Sequence, residues 1–210
     1  MRARTLLMTG CIFTTAFVAS GAAQDVAVPR SPVAVSSVTV TVEGTSKRDP
    51  FLASTKTVHV TRVQLAGPPS EDVLRQVLQP GGLEAFDLTI PVITLTSQDE
   101  GVAGHIHSAL KAETYPEIRF QLRSIGNGPG GAEGSIRLLA KGRLTVAGVD
   151  REVALDIKVI RAGSWLFVDG GTELLMTDFD VKPPKGMLGM LRTDPLIRVR
   201  FYLVVKAAEA

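Results

Sequence analysis

The chain has 210 residues, 45% hydrophobic and 21% charged, with 20 glycines and a single cysteine. That length and balance suit one globular domain with a real core and exclude a disordered or fibrous chain. One cysteine excludes a disulfide scaffold and any Cys-rich metal site, and the formal net charge of +2 is too small to mark a nucleic-acid surface.

At the start, Met1-Arg2-Ala3-Arg4 precedes an apolar run over 6–18 and small residues over 19–23. Basic, apolar and small-residue regions in that order predict a secretory signal peptide over 1–23, cleaved before Gln24. The run is shorter than the roughly 20 residues of a membrane-spanning helix. An uncleaved anchor and a lipid on Cys11, within Met8-Thr9-Gly10-Cys11, are the alternatives. Cleavage takes the basic count from 23 to 21, equal to the 21 acids, and removes the only thiol. The expected product is a neutral periplasmic or secreted chain with no nucleic-acid partner and no membrane span.

A Pro- and Ser-containing spacer over 24–36 leads into a domain expected over 37–207. Runs of strict alternation follow one another: Val38, Val40 and Val42; Val58 and Val60; Leu88, Ile90 and Val92; Ile118, Phe120 and Leu122. Ile136 and Leu138, Leu144 and Val146, and Val153 through Val159 continue the series, then Trp165 and Phe167, then Ile197 through Val205. A period of two is the mark of strands with one covered and one wet face. The alternation breaks at Arg62-Val63-Gln64-Leu65, as at a bulge. Turns are expected at 126–131, 147–150, 162–164 and at Asp169-Gly170-Gly171. Two short helices are expected, one over 70–78 with Ser70 as cap and one over 105–112. The whole predicts an all-β, eight-stranded antiparallel barrel with one or two short helices.

The chemistry-bearing residues are few. His105 and His107 share a face only in an extended strand and lack further ligands, so a solvated helix start is the plainer reading. Gly163-Ser164-Trp165 sits in a hairpin turn without the second glycine of a nucleophile elbow. Asp178 and Asp180 are a carboxylate pair with no partner for acid–base work. The glycines over 126–134 run into a strand, whereas a phosphate cradle runs into a helix. The expectation is therefore no enzyme, no cofactor and no metal. Residues 176–194 are too apolar for an open loop, and so must fold back over something.

Several blocks carry a resemblance. Val42-Glu43-Gly44-Thr45-Ser46 resembles the first-strand v-x-G-t-S of the YceI-like family, secreted bacterial proteins with a lipocalin-like barrel described as polyisoprenoid-binding. Where that family often continues with His-Asp-Trp, this chain keeps Asp49 but has neither the His nor the Trp. The segments 90–92 and 109–120, Gly142 through Val149, and 176–189 (MTDFDVKPPKGMLG) are similar to its ip-v, ALk…yP-x-I-x-F, G-x-L-t-i-x-G-v and m-t-D-F-g-i-k-P-P motifs. The resemblance implies the lipocalin-like barrel and a lipid, isoprenoid or quinone as ligand, and it supplies no catalytic residues.

From the residues, the site expectation is that Phe120, Trp165 and Phe167 line a tube. Phe179, Met187, Leu188 and Met190 would close one end, and Lys182, Lys185 and Arg192 would face either an anionic head group or plain solvent. Two rival classes remain at this point. A stress-related or interaction module would use the barrel as a ligand-free scaffold; a homodimer stays open under either reading. An outer-membrane barrel is disfavoured by outward charges such as Asp156, Lys158, Arg198 and Arg200, and by the few aromatics for two girdles.

Overall fold

The structure, a computed structural model, describes residues 32–46, 50–98, 100–130, 134–182 and 193–208. The expected signal peptide and the segment 183–192 lie outside them. The described chain gives strands β1 (Val33–Ser46), β2 (Pro50–Thr55), β3 (His59–Leu65) and β4 (Leu83–Pro91), with helix α1 (Val73–Leu78) between the last two. Helix α2 (Glu100–Ala109) leads into β5 (Glu117–Asn127), β6 (Ile136–Val146), β7 (Val149–Ala162), β8 (Trp165–Leu175) and β9 (Thr193–Ala207). One sheet holds all nine strands in the order β2-β1-β9-β8-β7-β6-β5-β4-β3, each neighbouring pair antiparallel.

The two edge strands, β2 and β3, are consecutive in the chain, with only residues 56–58 between them. That short link forces the sheet to curl until its edges meet. They meet without a shared ladder. Closure comes instead from Ser54 and Thr96, whose N–H groups donate to each other's carbonyl at 2.8 and 2.9 Å, and from the Thr55 and Thr94 hydroxyls, 2.8 Å apart. The result is a curled half-barrel of nine strands where eight were expected. The additional strand is β2, whose Phe51-Leu52-Ala53 carries no polar alternation to announce it.

Other boundaries also shift. β1 begins at Val33, inside the expected spacer, because residues 33–35 pair with the end of β9. Helix α1 is capped by Asp72, not Ser70: its Oδ1 accepts the Arg75 N–H at 3.0 Å, while the Ser70 N–H donates to Gln76 Oε1 at 2.9 Å. Helix α2 starts at Glu100 and stops at Ala109, ahead of Lys111 in the left-handed region (φ 54°). The expected turn at Gly170-Gly171 is mid-strand in β8. The 147–148 turn is a tight hairpin, with φ of 49° at Ala147 and 82° at Gly148, as a two-residue link between twisted strands requires. Register shifts in β3 at Val60/Arg62 and Gln64/Leu65 bear out the bulge read from the broken alternation.

Burial follows the pleat. One apolar cluster gathers Val33, Val159, Leu166, Leu203 and Val205 from the wall with Leu74 and Val77 of α1. A second gathers Phe120, Leu122, Ala140, Ala147 and Val153 with Met176, Phe179 and Val181, the last three from a 3-10 turn (Met176–Phe179) and the residues after it. The chain thus packs its own connections against both ends of the barrel.

Candidate functional site

Between the two clusters the barrel is hollow. The cavity measures about 210 Å³ and is lined by 28 residues, of which only Thr172 has a heteroatom in its side chain. Its hydroxyl turns back towards the Glu173 carbonyl at 3.4 Å. Among the described residues no buried side-chain nitrogen or oxygen lacks a hydrogen-bond partner. The lumen therefore offers dispersion and dehydration, and almost nothing a polar group could recognise.

Strand parity decides which side chains enter it. On β8 the inward residues are Leu166, Val168, Thr172 and Leu174; on β9 they are Val199, Phe201, Leu203 and Val205. Two glycines make room for aromatic rings lying across the wall. A methyl on Gly142 would meet the Phe120 ring at 2.5 Å and the Gln121 carbonyl oxygen at 2.7 Å. One on Gly170 would meet the Phe201 ring and, at 2.9 Å, the Asp156 carbonyl oxygen. Each ring rests against bare backbone, and the lumen in front of it stays open.

The two ends are built differently. Val77 and Leu78 of α1 roof the cavity directly. The excursion carrying them, residues 66–82, is pinned at its base by the Ala66 N–H donating to the Gly82 carbonyl at 3.1 Å. Inside it, Gln76 bonds the Pro68 carbonyl at 3.1 Å and the Ser70 N–H at 2.9 Å. Across the barrel mouth, Asp72 Oδ2 accepts from Arg161 Nη1 at 2.7 Å. That hydrogen bond, followed by the one from the Arg75 N–H, holds the Asp72 carboxyl below its ordinary value. At the opposite end Met176, Phe179 and Val181 are buried in the second cluster and do not reach the cavity surface.

A family model for the YceI-like domain matches residues 31–205. The chain belongs to the YceI-like family. No curated protein matches it. Among solved structures this YceI-like chain is similar to a polyisoprenoid-binding domain from Saccharophagus degradans implicated in plant cell wall breakdown (TM-score 0.62, 11% identity, 85% of this chain and 100% of that one). It is similar also to BcnA of Burkholderia cenocepacia (0.60, 18%, 80% and 95%) and to the Campylobacter jejuni YceI protein (0.55, 14%, 74% and 84%). At those identities the likeness is one of fold, and it agrees with the lipocalin-like barrel implied by the sequence motifs.

Of the expected site residues, Phe120 lines the cavity of this YceI-like barrel. Trp165 and Phe167 do not. They lie on the outer face, Trp165 39% exposed, and Leu166 and Val168 take the inward places. The reason is register: Leu166 stands opposite Val205 and Val168 opposite Leu203, both inward on β9, and a strand cannot change one pair without changing all. Phe179 is buried at the barrel end without lining the cavity, and Lys182 is exposed. Lys185, Met187, Leu188, Met190 and Arg192 lie outside the described residues. His107 Nε2 is 2.9 Å from the Leu95 carbonyl, and no group of three or more His, Cys, Asp and Glu gathers among the described residues. Sequence reading missed the roof residues Val77 and Leu78; the apolar side of α1 was the available signal.

Proposed function

We propose that this chain is an exported, non-enzymatic binding protein that sequesters or carries an apolar ligand, an isoprenoid, quinone or other lipid chain, in its barrel. The observation that carries the reading is the 210 Å³ lumen with its hydrocarbon lining. The binding described for the Saccharophagus degradans domain of the same fold supports it. Residues 1–23, with the pattern of a signal peptide, support export.

Volume limits what fits. A cavity of about 150 Å³ lined by Leu, Ile and Phe stays dry and takes benzene, so by proportion this one takes roughly eight carbons. At about 0.8 kcal/mol per buried carbon that is roughly 6–7 kcal/mol of gross burial, near the low end of an association cost of about 4–15 kcal/mol. A chain of three or four five-carbon units would bind far more tightly but needs a wider lumen. The occupant is thus one end of a longer chain, or a longer chain admitted when α1 moves aside.

The test is native mass spectrometry of protein purified from its host without detergent, paired with uptake of cis-parinaric acid. The expected result is a co-purified lipid displaced by the probe, and loss of probe uptake in Ala140→Phe, which fills the lumen. No lipid and no probe uptake by the native chain would leave the barrel as a ligand-free scaffold. Fractionation of the host and N-terminal sequencing test export: the expected product is periplasmic or secreted and begins at Gln24.

A further inference from the structure

The outer wall of β7, β8 and β9 has a feature that ligand storage does not use. Cross-strand register sets Ile160 beside Phe167 and Phe167 beside Val204, a continuous apolar row on the solvent side. Trp165 stands one row towards the α1 end and Tyr202 one row away from it. Ile160, Trp165 and Tyr202 are 42%, 39% and 43% exposed. Isolated apolar side chains on a surface mean little, but five in contiguous rows mark an interaction face.

Charge is distributed unevenly along the same wall. Around the apolar row stand Lys158 and Arg200 against Asp169, while the nearby Asp156 is held by Arg137 at 3.4 Å. Farther along, Arg198 is matched by Glu173 at 2.8 Å and by the facing Glu43. The apolar half of the wall is therefore cationic by one charge, whereas Arg198 in the other half is neutralised. Arg161, next to Ile160, ties this rim to α1 and so to the cavity roof.

We propose that this face docks on an anionic lipid bilayer. Trp and Tyr with an apolar body and a polar tip favour the interfacial zone, and lysines and arginines beside them are drawn to anionic head groups. A second copy of the chain fits less well, since a two-fold contact would set this cationic patch against itself. Docking here would bring the α1 roof to the membrane, where an apolar ligand would otherwise reside. The surface is separate from the lumen, so the proposal stands or falls apart from the binding reading.

Trp165 is the only tryptophan in the chain, so it reports directly. The experiment mixes the exported chain with vesicles of equal phosphatidylglycerol and phosphatidylcholine, reading Trp165 emission, acrylamide quenching and co-sedimentation. The expected result is a blue shift, protection from quenching and pelleting, all weakened by salt and by pure phosphatidylcholine. Lys158→Gln with Arg200→Gln lowers partitioning roughly twenty-five-fold, at about fivefold per cation lost. Ile160→Asp lowers it as well, with unchanged circular dichroism in both variants. Ala140→Phe docks like the native chain. The proposal is overturned by an unshifted spectrum, by pelleting that the surface variants do not change, or by a concentration-dependent shift without vesicles accompanied by dimers in ultracentrifugation.

Discussion

Both ends of the barrel carry buried connections of the chain, but the two meet different neighbours. Phe179 (4% exposed), Met176 and Val181 fill one end as part of a dense apolar cluster, in a turn closed by the Val181 N–H donating to the Met176 carbonyl at 3.1 Å. At the other, α1 also buries Leu74 and Val77 in an apolar cluster, and adds polar ties at the surface: Asp72 to Arg161, and the Ala66–Gly82 base. The difference is what lies beneath: the first packs onto filled core, where every contact must be lost together, whereas α1 borders a hollow it can shift against. One end is a plug and the other a roof. The cavity touches the roof and not the plug.

The largest effect that tests this contrast is Phe179→Ala. It should cost about 3–5 kcal/mol in urea unfolding, as for a large aromatic removed from a packed site, while probe affinity in the surviving folded protein changes little. A comparable change in affinity would mean that the plug shapes the lumen. Leu74→Ala should cost less, about 2 kcal/mol, because α1 can settle against a space that is already partly empty. Its distinguishing effect is kinetic: stopped-flow release of cis-parinaric acid should speed up, as it should not in Phe179→Ala. Equal release rates in the two variants would erase the distinction.

Smaller effects sharpen the comparison within the wall and the roof. Gly142→Ala should cost about 1–3 kcal/mol, because the new methyl meets both the Phe120 ring and the Gln121 carbonyl, and the displaced ring narrows the lumen. Probe capacity should fall with stability, measured by titration beside thermal unfolding. The smallest effect is a pH response. The Asp72 carboxyl sits below its ordinary value of 3.8, so its contribution is complete above about that pH and disappears as pH falls through the depressed folded value. Probe release should quicken in that acid range in the native chain. In Asp72→Asn it should be fast and nearly flat with pH.

Much of the wall was legible because its strands alternate cleanly. β9 sets Val199, Phe201, Leu203 and Val205 against Arg198, Arg200, Tyr202 and Lys206, and only one parity buries the hydrocarbons. β8 begins Trp165-Leu166-Phe167-Val168, apolar on both faces, and the largest rings were the natural choice for the interior. Pairing with β9, distant in sequence, decides otherwise. Gly170 and Gly171 read as a turn because glycine usually marks one. Here they are mid-strand positions where the Phe201 ring and the Val199 carbonyl oxygen press close. The roof was hidden for a related reason: an amphipathic turn of six residues shows that one side is covered, not what it covers.

The first and last strands of the chain lie side by side along most of their length, and the Ala208 N–H reaches the Pro32 carbonyl at 3.0 Å. That pairing cannot form until β9 has been synthesised, so β1 waits with one unfilled edge while the seven strands between are made, the condition in which strands seek wrong neighbours. The same adjacency makes the barrel a natural candidate for circular permutation. Joining the two ends with a short linker and reopening the chain in the β5–β6 hairpin would turn the slowest contact to form into one of the fastest.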